Sequence, residues 1–266
     1  MRNLIIFISV VLLLPIVRAQ DKNKLSVEFN VNQTHYNMKS MNTYLNDTVY
    51  YFDPFFYGRN QTNRIQTGIK YNLAINYQPF NAVSFGVYTN YQTASIRRSL
   101  GYVYYDFDNP SDSIVFEGTN KINVNALSFG LSSNLYLNKL LKLDQSNSKF
   151  IKKIQCSFGI MGGIGISTLN DRAQIYNTYG EYKRLQYKST DFAGKAEFNL
   201  GYRLGNSFFF DLGIKGGYQL FATSALKNYT GDALAGVSLD PNYNNIGPVH
   251  LDFSGLYYGI YLKIGK

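Results

Sequence analysis

The sequence predicts an all-β fold: an eight-stranded antiparallel up-and-down transmembrane barrel with four long outer loops. Three observations predict it. Apolar and polar residues alternate over long runs, the runs reach about ten residues or more, and long connections alternate with short ones. A period of two marks a strand whose faces meet unlike environments. Globular strands average about five or six residues, whereas a tilted strand needs roughly ten to cross a bilayer.

The clearest alternation is IQTGIKYNLAINY, at residues 65–77. Its more apolar phase consists of Ile65, Thr67, Ile69, Tyr71, Leu73, Ile75 and Tyr77. The opposite phase is small and polar: Gln66, Gly68, Lys70, Asn72, Ala74 and Asn76. A solvent-exposed face would carry more charge, whereas a narrow lumen holds residues of this size. We therefore expect the apolar phase to face lipid and the polar phase to face the inside.

The same pattern predicts strands near residues 25–31, 65–77, 83–91, 121–137, 154–168, 192–204, 208–220 and 256–264. The connections are long at about 32–63, 94–120, 168–190 and 221–250, medium at 138–153, and short at 78–81 and 205–206. Four connections of this length would be unusual in a compact soluble domain. Long outer loops that alternate with short turns are typical of transmembrane barrels.

The N-terminus predicts export. Arg2 provides a basic start, residues 4–17 form an apolar run, and the sequence VRA precedes Gln20. These are the parts of a secretory signal peptide, so we expect a signal peptide at 1–19 and a barrel domain at 20–266. The single cysteine, Cys156, excludes an internal disulfide framework.

Seven charged residues fall in the inward phase of the predicted strands. They are Glu28, Lys70, Lys195, Glu197, Arg203, Asp211 and Lys215. Three acids and four bases nearly balance, which favours an interlocked polar filling, whereas an open pore would more naturally carry one sign of charge. With a tight turn at 205–206, we expect Asp211 about opposite Leu200 or Asn199 and within diagonal reach of Arg203.

Two predicted outer loops are dense in aromatic residues. The first carries Tyr50, Tyr51, Phe52, Phe55, Phe56 and Tyr57, and the second carries Tyr102, Tyr104, Tyr105 and Phe107. Exposed aromatic patches favour binding, here of an extracellular glycan or protein ligand. The alternative is that the first four strands extend above the membrane, where the aromatics pack on one another or on lipid headgroups.

Other chemistry has weaker support. His250, Asp252 and Ser254 suggest a rim hydrolase or acyltransferase together with His35, but no nucleophile motif accompanies them, so we assign no catalytic residue. The aspartates at positions 106, 108 and 112 lack EF-hand spacing, so we assign no metal, and no cofactor is predicted.

The formal charge of +9 is not clustered in one stripe, which argues against nucleic acid. The medium connection is basic, with Lys139, Lys142, Lys149, Lys152 and Lys153. We expect these lysines to be either solvated or in contact with anionic lipid or a periplasmic partner.

With its signal peptide, eight amphipathic strands and the final GLYYGIYLKI, the sequence resembles the small outer-membrane β-barrel proteins of Gram-negative bacteria, above all the Tyr- and Asn-rich barrels of the Bacteroidota type. The resemblance covers residues 24–265. It implies a monomer in outer-membrane lipid with both mature termini periplasmic. We expect a non-enzymatic structural or binding role. The alternatives are a narrow porin-like channel for small solutes and a component of a secretion machine.

Overall fold

The computed structural model describes residues 24–43, 45, 64–105, 113–175, 183–205, 208–228 and 248–266. Eight antiparallel strands form a closed barrel in sequence order, as predicted. The strands are β1 (Lys24–His35), β2 (Thr67–Phe80), β3 (Val83–Tyr105), β4 (Ser113–Tyr136), β5 (Ile154–Ile175), β6 (Lys183–Leu204), β7 (Phe209–Leu220) and β8 (Gly255–Gly265).

The barrel closes with a stagger along its last strand. Ser26 of β1 pairs with Gly265 of β8 on one side. If one starts at Ser26 and moves from each residue to its paired residue on the next strand, from β1 to β2 and on around the barrel, the path reaches β8 at Gly255. Gly255 is ten residues away from Gly265. A stagger of this size tilts eight strands by about 40° and leaves an interior that side chains can fill.

The four strands β3 to β6 are each longer than the sequence predicts by at least seven residues. The predicted loops at 94–120 and 168–190 are mostly strand, because β3 pairs with β4 as far as Tyr105 and Ser113, and β5 pairs with β6 as far as residues 173 and 183. We refer to the end of the barrel that these hairpins extend as the loop end. The opposite end, where β2 turns into β3 at residues 81–82, is the turn end.

From the turn end to the middle of the barrel, which we call the lower barrel, the prediction of which residues face inward and which face outward is correct. Outward residues such as Leu131 and Ile260 are 71% and 62% exposed. Inward residues such as Asn72, Ser84 and Ser132 are buried although they are polar. An apolar exterior around a polar interior is stable only where lipid covers the outside.

Near the loop end, the apolar residues occupy the inward positions and the polar residues occupy the outward positions. On β4, Leu127 and Phe129 face outward and are exposed, but further up the strand Ile122 and Val124 face inward and are fully buried. Lys121, on the outward face there, is exposed. The same change occurs on β3, where Ala94 and Ile96 face inward, and on β5, where Leu169 does.

The prediction for Ile65 is therefore wrong. Ile65 lies just before β2 and is buried rather than facing lipid. The Asn42 side chain fixes it there by accepting a hydrogen bond from the Ile65 amide at 2.8 Å and donating one to the Ile65 carbonyl at 3.2 Å.

The connection between β4 and β5 contains only short helices, at Leu137–Leu140, Leu143–Gln145 and Ile151–Lys153. Among the described residues, no helix combines the length and apolar character needed to cross a bilayer.

Candidate functional site

The centre of the lumen is organised around Lys215 of β7. Its Nζ lies 2.5 Å from Glu28 Oε1 on β1 and 2.7 Å from Glu197 Oε1 on β6. The three side chains come from three strands and are all buried. A buried carboxylate is costly unless it is paired and hydrogen-bonded, and one lysine here serves two of them.

The second oxygen of Glu197 is also engaged. The Tyr257 hydroxyl donates a hydrogen bond to Glu197 Oε2 at 2.9 Å, and Lys195 Nζ lies 3.7 Å from the same oxygen. Lys195 in turn donates to Asn72 Oδ1 at 2.7 Å. Together with the Lys215 pairs, these contacts link β1, β2, β6, β7 and β8 across the lumen.

Lys70 is held differently from Lys195 and Lys215. It is fully buried, and within the described chain no carboxylate lies within ion-pair distance of it. Its Nζ donates to Gln219 Oε1 at 3.0 Å and sits 3.0 Å from the centroid of the Tyr257 ring. A desolvated cation–π contact is worth about 2 kcal/mol or more, so the ring replaces part of the missing counter-ion.

A separate ion pair lies near the turn end. Arg203 faces Asp211 directly across β6 and β7, and its Nε and Nη2 each donate to one carboxylate oxygen at 2.7 Å. The predicted register, with Asp211 opposite Leu200 or Asn199, is wrong. The reason is that the connection runs from residue 205 to 208 instead of turning within two residues, which shifts every facing pair.

Lys263 is an inward charge outside the predicted set. Its Nζ donates to the Tyr136 hydroxyl at 2.6 Å, and that hydroxyl lies 3.1 Å from Ser84 Oγ. The signal is present in the sequence, since Lys263 continues the inward phase of Tyr257 and Tyr261. With Lys263 added, the predicted set holds five bases against three acids, a positive excess.

Inward tyrosines fill the remaining space above inward glycines. A Cβ at Gly201 or Gly213 would collide with Tyr261, and one at Gly217 would collide with the hydroxyl of Tyr257. These three glycines therefore make room for large rings and do not widen a passage.

Above the charged network, the loop end is closed by apolar side chains, which we call the mouth cluster. They come from the upper strands and from the two long connections: Tyr36, Met38, Met41, Leu45, Ile65, Ala94, Ile122, Val124, Ala126, Leu169, Ala193, Phe221, Leu226, Val249, Leu251 and Phe253.

The mouth cluster is anchored by rings and by backbone hydrogen bonds. The Phe253 ring stacks on Phe221 at 5.5 Å between centroids and meets Tyr36 edge-on at 5.4 Å. The Phe253 amide donates to the Phe221 carbonyl at 2.8 Å, and the Asn37 amide donates to the Ser254 carbonyl at 3.0 Å. These bonds tie both long connections into the mouth of the barrel.

A cavity of about 10 Å³ separates the charged network from the mouth cluster. Asn90 and Ser128 line it together with Lys195 from below and Phe221 from above. This volume is about that of one water molecule. Asn90 donates to Ser128 Oγ at 3.2 Å, so the walls of the cavity are polar.

The structure describes the backbone of three of the ten aromatic residues that were predicted to bind a ligand. Tyr50, Tyr51, Phe52, Phe55, Phe56, Tyr57 and Phe107 lie outside the described residues. Tyr102, Tyr104 and Tyr105 lie within β3, not in a loop, and their backbones pair with residues 116, 114 and 113 of β4. This part of the second predicted loop is therefore strand, and ligand binding by these tyrosines stays a prediction.

The rim residues considered for hydrolysis do not form a triad. His250 Nδ1 lies 3.1 Å from the Thr223 carbonyl oxygen. Asp252 Oδ2 accepts a hydrogen bond from the side-chain amide of Asn37 at 3.1 Å. Ser254 Oγ accepts one from the backbone amide of Phe221 at 2.9 Å. Each side chain thus fixes a connection.

The metal and basic-turn candidates can be placed in part. In the part of the chain that the structure describes, no three His, Cys, Asp or Glu residues gather to hold a metal ion. The aspartates at 106, 108 and 112 fall outside it. In the basic connection, Lys139 pairs with Asp144 at 2.8 Å.

Fold and lumen together define a class: a closed antiparallel barrel that is apolar outside and polar inside, the arrangement of transmembrane β-barrels. No protein-family model and no curated protein matches the sequence.

Among solved structures, the chain is similar to Ail, the attachment invasion locus protein of Yersinia pestis, solved in complex with the heparin analogue sucrose octasulfate. The identity is 12%, with 92% of this chain and 97% of Ail covered and a TM-score of 0.32. It is also similar to the outer membrane protein OprG from Pseudomonas aeruginosa, at 10% identity, 92% and 96% coverage and a TM-score of 0.39. Neisserial surface protein A is similar as well, at 8% identity, with 91% of this chain and 95% of that protein covered and a TM-score of 0.34. With identity and superposition this low, the function is inferred from this chain's own side chains.

Proposed function

We propose that this protein is a non-enzymatic outer-membrane barrel that acts as a closed scaffold and binds external ligands at its loop end. The observation that carries the proposal is the double filling of the lumen. Around Lys215 the interior is occupied by paired charges and tyrosines, and above them it is occupied by the mouth cluster. A solute would have to displace both.

The proposed location rests on the belt of exposed apolar residues that surrounds the barrel. It includes Phe129, Leu131, Ile164, Phe192 and Ile260, each about half exposed or more. An apolar surface of this extent favours lipid over water. Export through a signal peptide at 1–19, a mature domain at 20–266 and periplasmic termini remain part of the proposal, as does the narrower likeness to barrels of the Bacteroidota type.

Planar-bilayer recording of the purified barrel tests the closed lumen. We expect no stepwise conductance, because the described lumen leaves a cavity of only about 10 Å³ between its two fillings. Regular current steps from the wild-type protein would favour the alternative, a narrow channel for small solutes.

Epitope labelling on intact cells tests the orientation. An epitope inserted after Asn60, in the first long connection, should be labelled, and one inserted after Asn206, in a short connection, should not. Labelling of both, or of Asn206 alone, contradicts the proposed orientation.

The binding role can be tested through the aromatic residues of the first long connection. We propose that they contact a glycan or protein ligand, because exposed aromatic clusters usually mark binding surfaces. A glycan array should retain the wild-type barrel and lose a variant in which Tyr50, Tyr51, Phe52, Phe55, Phe56 and Tyr57 are replaced by Ser. Equal retention of both proteins would show that these residues do not contribute to glycan binding.

A further inference from the structure

A row of basic residues crosses the outward face of the barrel near the loop end. Arg97 of β3 pairs directly with Lys121 of β4, and Lys121 pairs directly with Arg172 of β5. All three side chains are exposed. Lys188 on β6 is exposed as well, but it pairs with Thr168 and so lies four residues closer to the apolar belt than Arg172 does. We call Arg97, Lys121 and Arg172 the basic row.

Within the described residues, the basic row has no counter-ion of its own. Between the apolar belt and the basic row, the outward residues of β3, β4 and β5 are Thr, Ser and Asn. The nearby Asp171 faces inward, where Asn120 donates to it at 2.9 Å. Like charges directly opposite each other on neighbouring strands are destabilising. An arrangement of this kind is best stabilised by an external anion.

The height of the basic row above the apolar belt restricts what that anion can be. Below the basic row, Tyr91, Leu127 and Ile166 form the uppermost apolar outward row, with each residue paired to the next across β3, β4 and β5. The basic row lies six residues further along all three strands. At about 3.3 Å per residue on strands tilted by about 40°, this places it roughly 15 Å beyond the belt.

Ordinary phospholipid headgroups add only about 5–7 Å to each side of the hydrocarbon core. Long Arg and Lys side chains can reach back toward the membrane, yet the basic row still fits a thicker headgroup layer better. Arg also suits phosphate geometry, because its planar group binds two oxygens at once.

We propose that the basic row binds the phosphate groups of phosphorylated glycolipids in the leaflet at the loop end of the barrel. The inference rests on the proposed membrane placement, but it does not depend on the loop ligand or on a closed lumen. The glycolipid would supply the missing negative charge and would hold the hairpins that rise above the bilayer.

The test uses the full barrel in phosphatidylcholine vesicles, with purified rough-type lipopolysaccharide and its enzymatically dephosphorylated form as probes. The variant is Lys121→Gln with Arg172→Gln. The matched control is Lys142→Gln with Lys152→Gln, which removes the same charge from exposed positions at the turn end. We expect the variant to bind the phosphorylated probe about thirtyfold more weakly, since each basic residue near an anionic surface contributes about fivefold. The control should bind as the wild type does.

Stability separates this role from a structural one. Without glycolipid, the variant should unfold no earlier than the wild type, because a like-charge contact has been removed. With the phosphorylated probe, the wild type and the control should gain stability through binding, and the variant should gain less.

Several outcomes would overturn the proposal. One is equal binding of phosphorylated and dephosphorylated probes, and another is equal loss in the variant and the control. Displacement of the probe by millimolar inorganic phosphate would show that the row takes free phosphate and does not recognise a lipid. Failure of the barrel to insert into vesicles would instead refute the membrane placement on which the inference rests.

Discussion

The two halves of β4 follow opposite rules. In the lower half, Leu131 faces outward and is 71% exposed, while the inward Ser132 is buried. In the upper half, the inward Val124 is fully buried, while Lys121 faces outward and is exposed. The backbone and the pairing are continuous, so only the surroundings differ. In our account the lower half is surrounded by lipid hydrocarbon and the upper half by a polar, hydrated layer, so each half turns its apolar face accordingly.

The difference means that one lumen is filled by two kinds of interaction. Around Lys215, the filling consists of charges that must be paired, because each is expensive when left alone. In the mouth cluster, it consists of apolar side chains that gain from leaving water. The two fillings should therefore respond differently to the same kind of substitution.

The largest effect is expected at the hub of the charged network. Lys215→Met should lower the free energy of unfolding by about 3–5 kcal/mol, because it leaves two buried carboxylates without their shared base. Urea unfolding in lipid micelles measures this. The same change at the exposed Lys149 should stay within about 0.5 kcal/mol. A Lys215→Met barrel as stable as the wild type would mean that water screens the lumen.

In the mouth cluster, truncation should act through packing. Leu251→Ala should cost about 3 kcal/mol, because Leu251 is fully buried and its removal leaves a cavity. The matched change is Leu256→Ala, five residues later, where the side chain is 65% exposed and faces outward. Its cost should be distinctly smaller. Equal losses at the two positions would deny that the loop end has an apolar interior.

An arginine scan along β2 tests where the lipid ends. Leu73→Arg, on the outward face in the middle of the belt, should cost about 2–4 kcal/mol in a bilayer. Thr67→Arg, on the same face at the exposed upper end of β2, should cost about 0–1 kcal/mol. Both are read from unfolding in vesicles. If the order of the two costs is reversed, the belt is misplaced.

A smaller effect is expected at Arg203 and Asp211. The pair is bidentate, but the Arg203 side chain is 20% exposed, so we expect a coupling energy of about 1–2 kcal/mol from a double-mutant cycle with Arg203→Gln and Asp211→Asn. A coupling near zero would indicate that this end of the lumen is hydrated.

Much of the lower barrel follows from the sequence, because a period of two with one apolar phase needs no tertiary information. The upper barrel does not, although its signal is visible. In INVNALSFGL the apolar residues stand at even positions through Ala126 and at odd positions from Leu127 onward. This change of phase marks where β4 leaves lipid, but alternation with a single fixed phase predicts most of the segment above it as loop.

The site was harder to predict because its contacts join distant strands. The contact between Lys70 and Tyr257 spans β2 and β8, and no local pattern reveals it. The facing of Arg203 and Asp211 depends on how many residues form one turn, which alternation does not determine.

Thiol access to a single cysteine between the two fillings tests the closed lumen most directly. In a Cys156→Ser background, Ser128→Cys places a nearly isosteric thiol on the wall of the small cavity, and Ser148→Cys places one in the exposed β4–β5 connection. With a small membrane-impermeant thiol reagent added to both sides of proteoliposomes, we expect rapid labelling at residue 148 and none at residue 128 until the barrel is unfolded. Labelling of both cysteines at similar rates in the folded barrel would contradict the closed lumen.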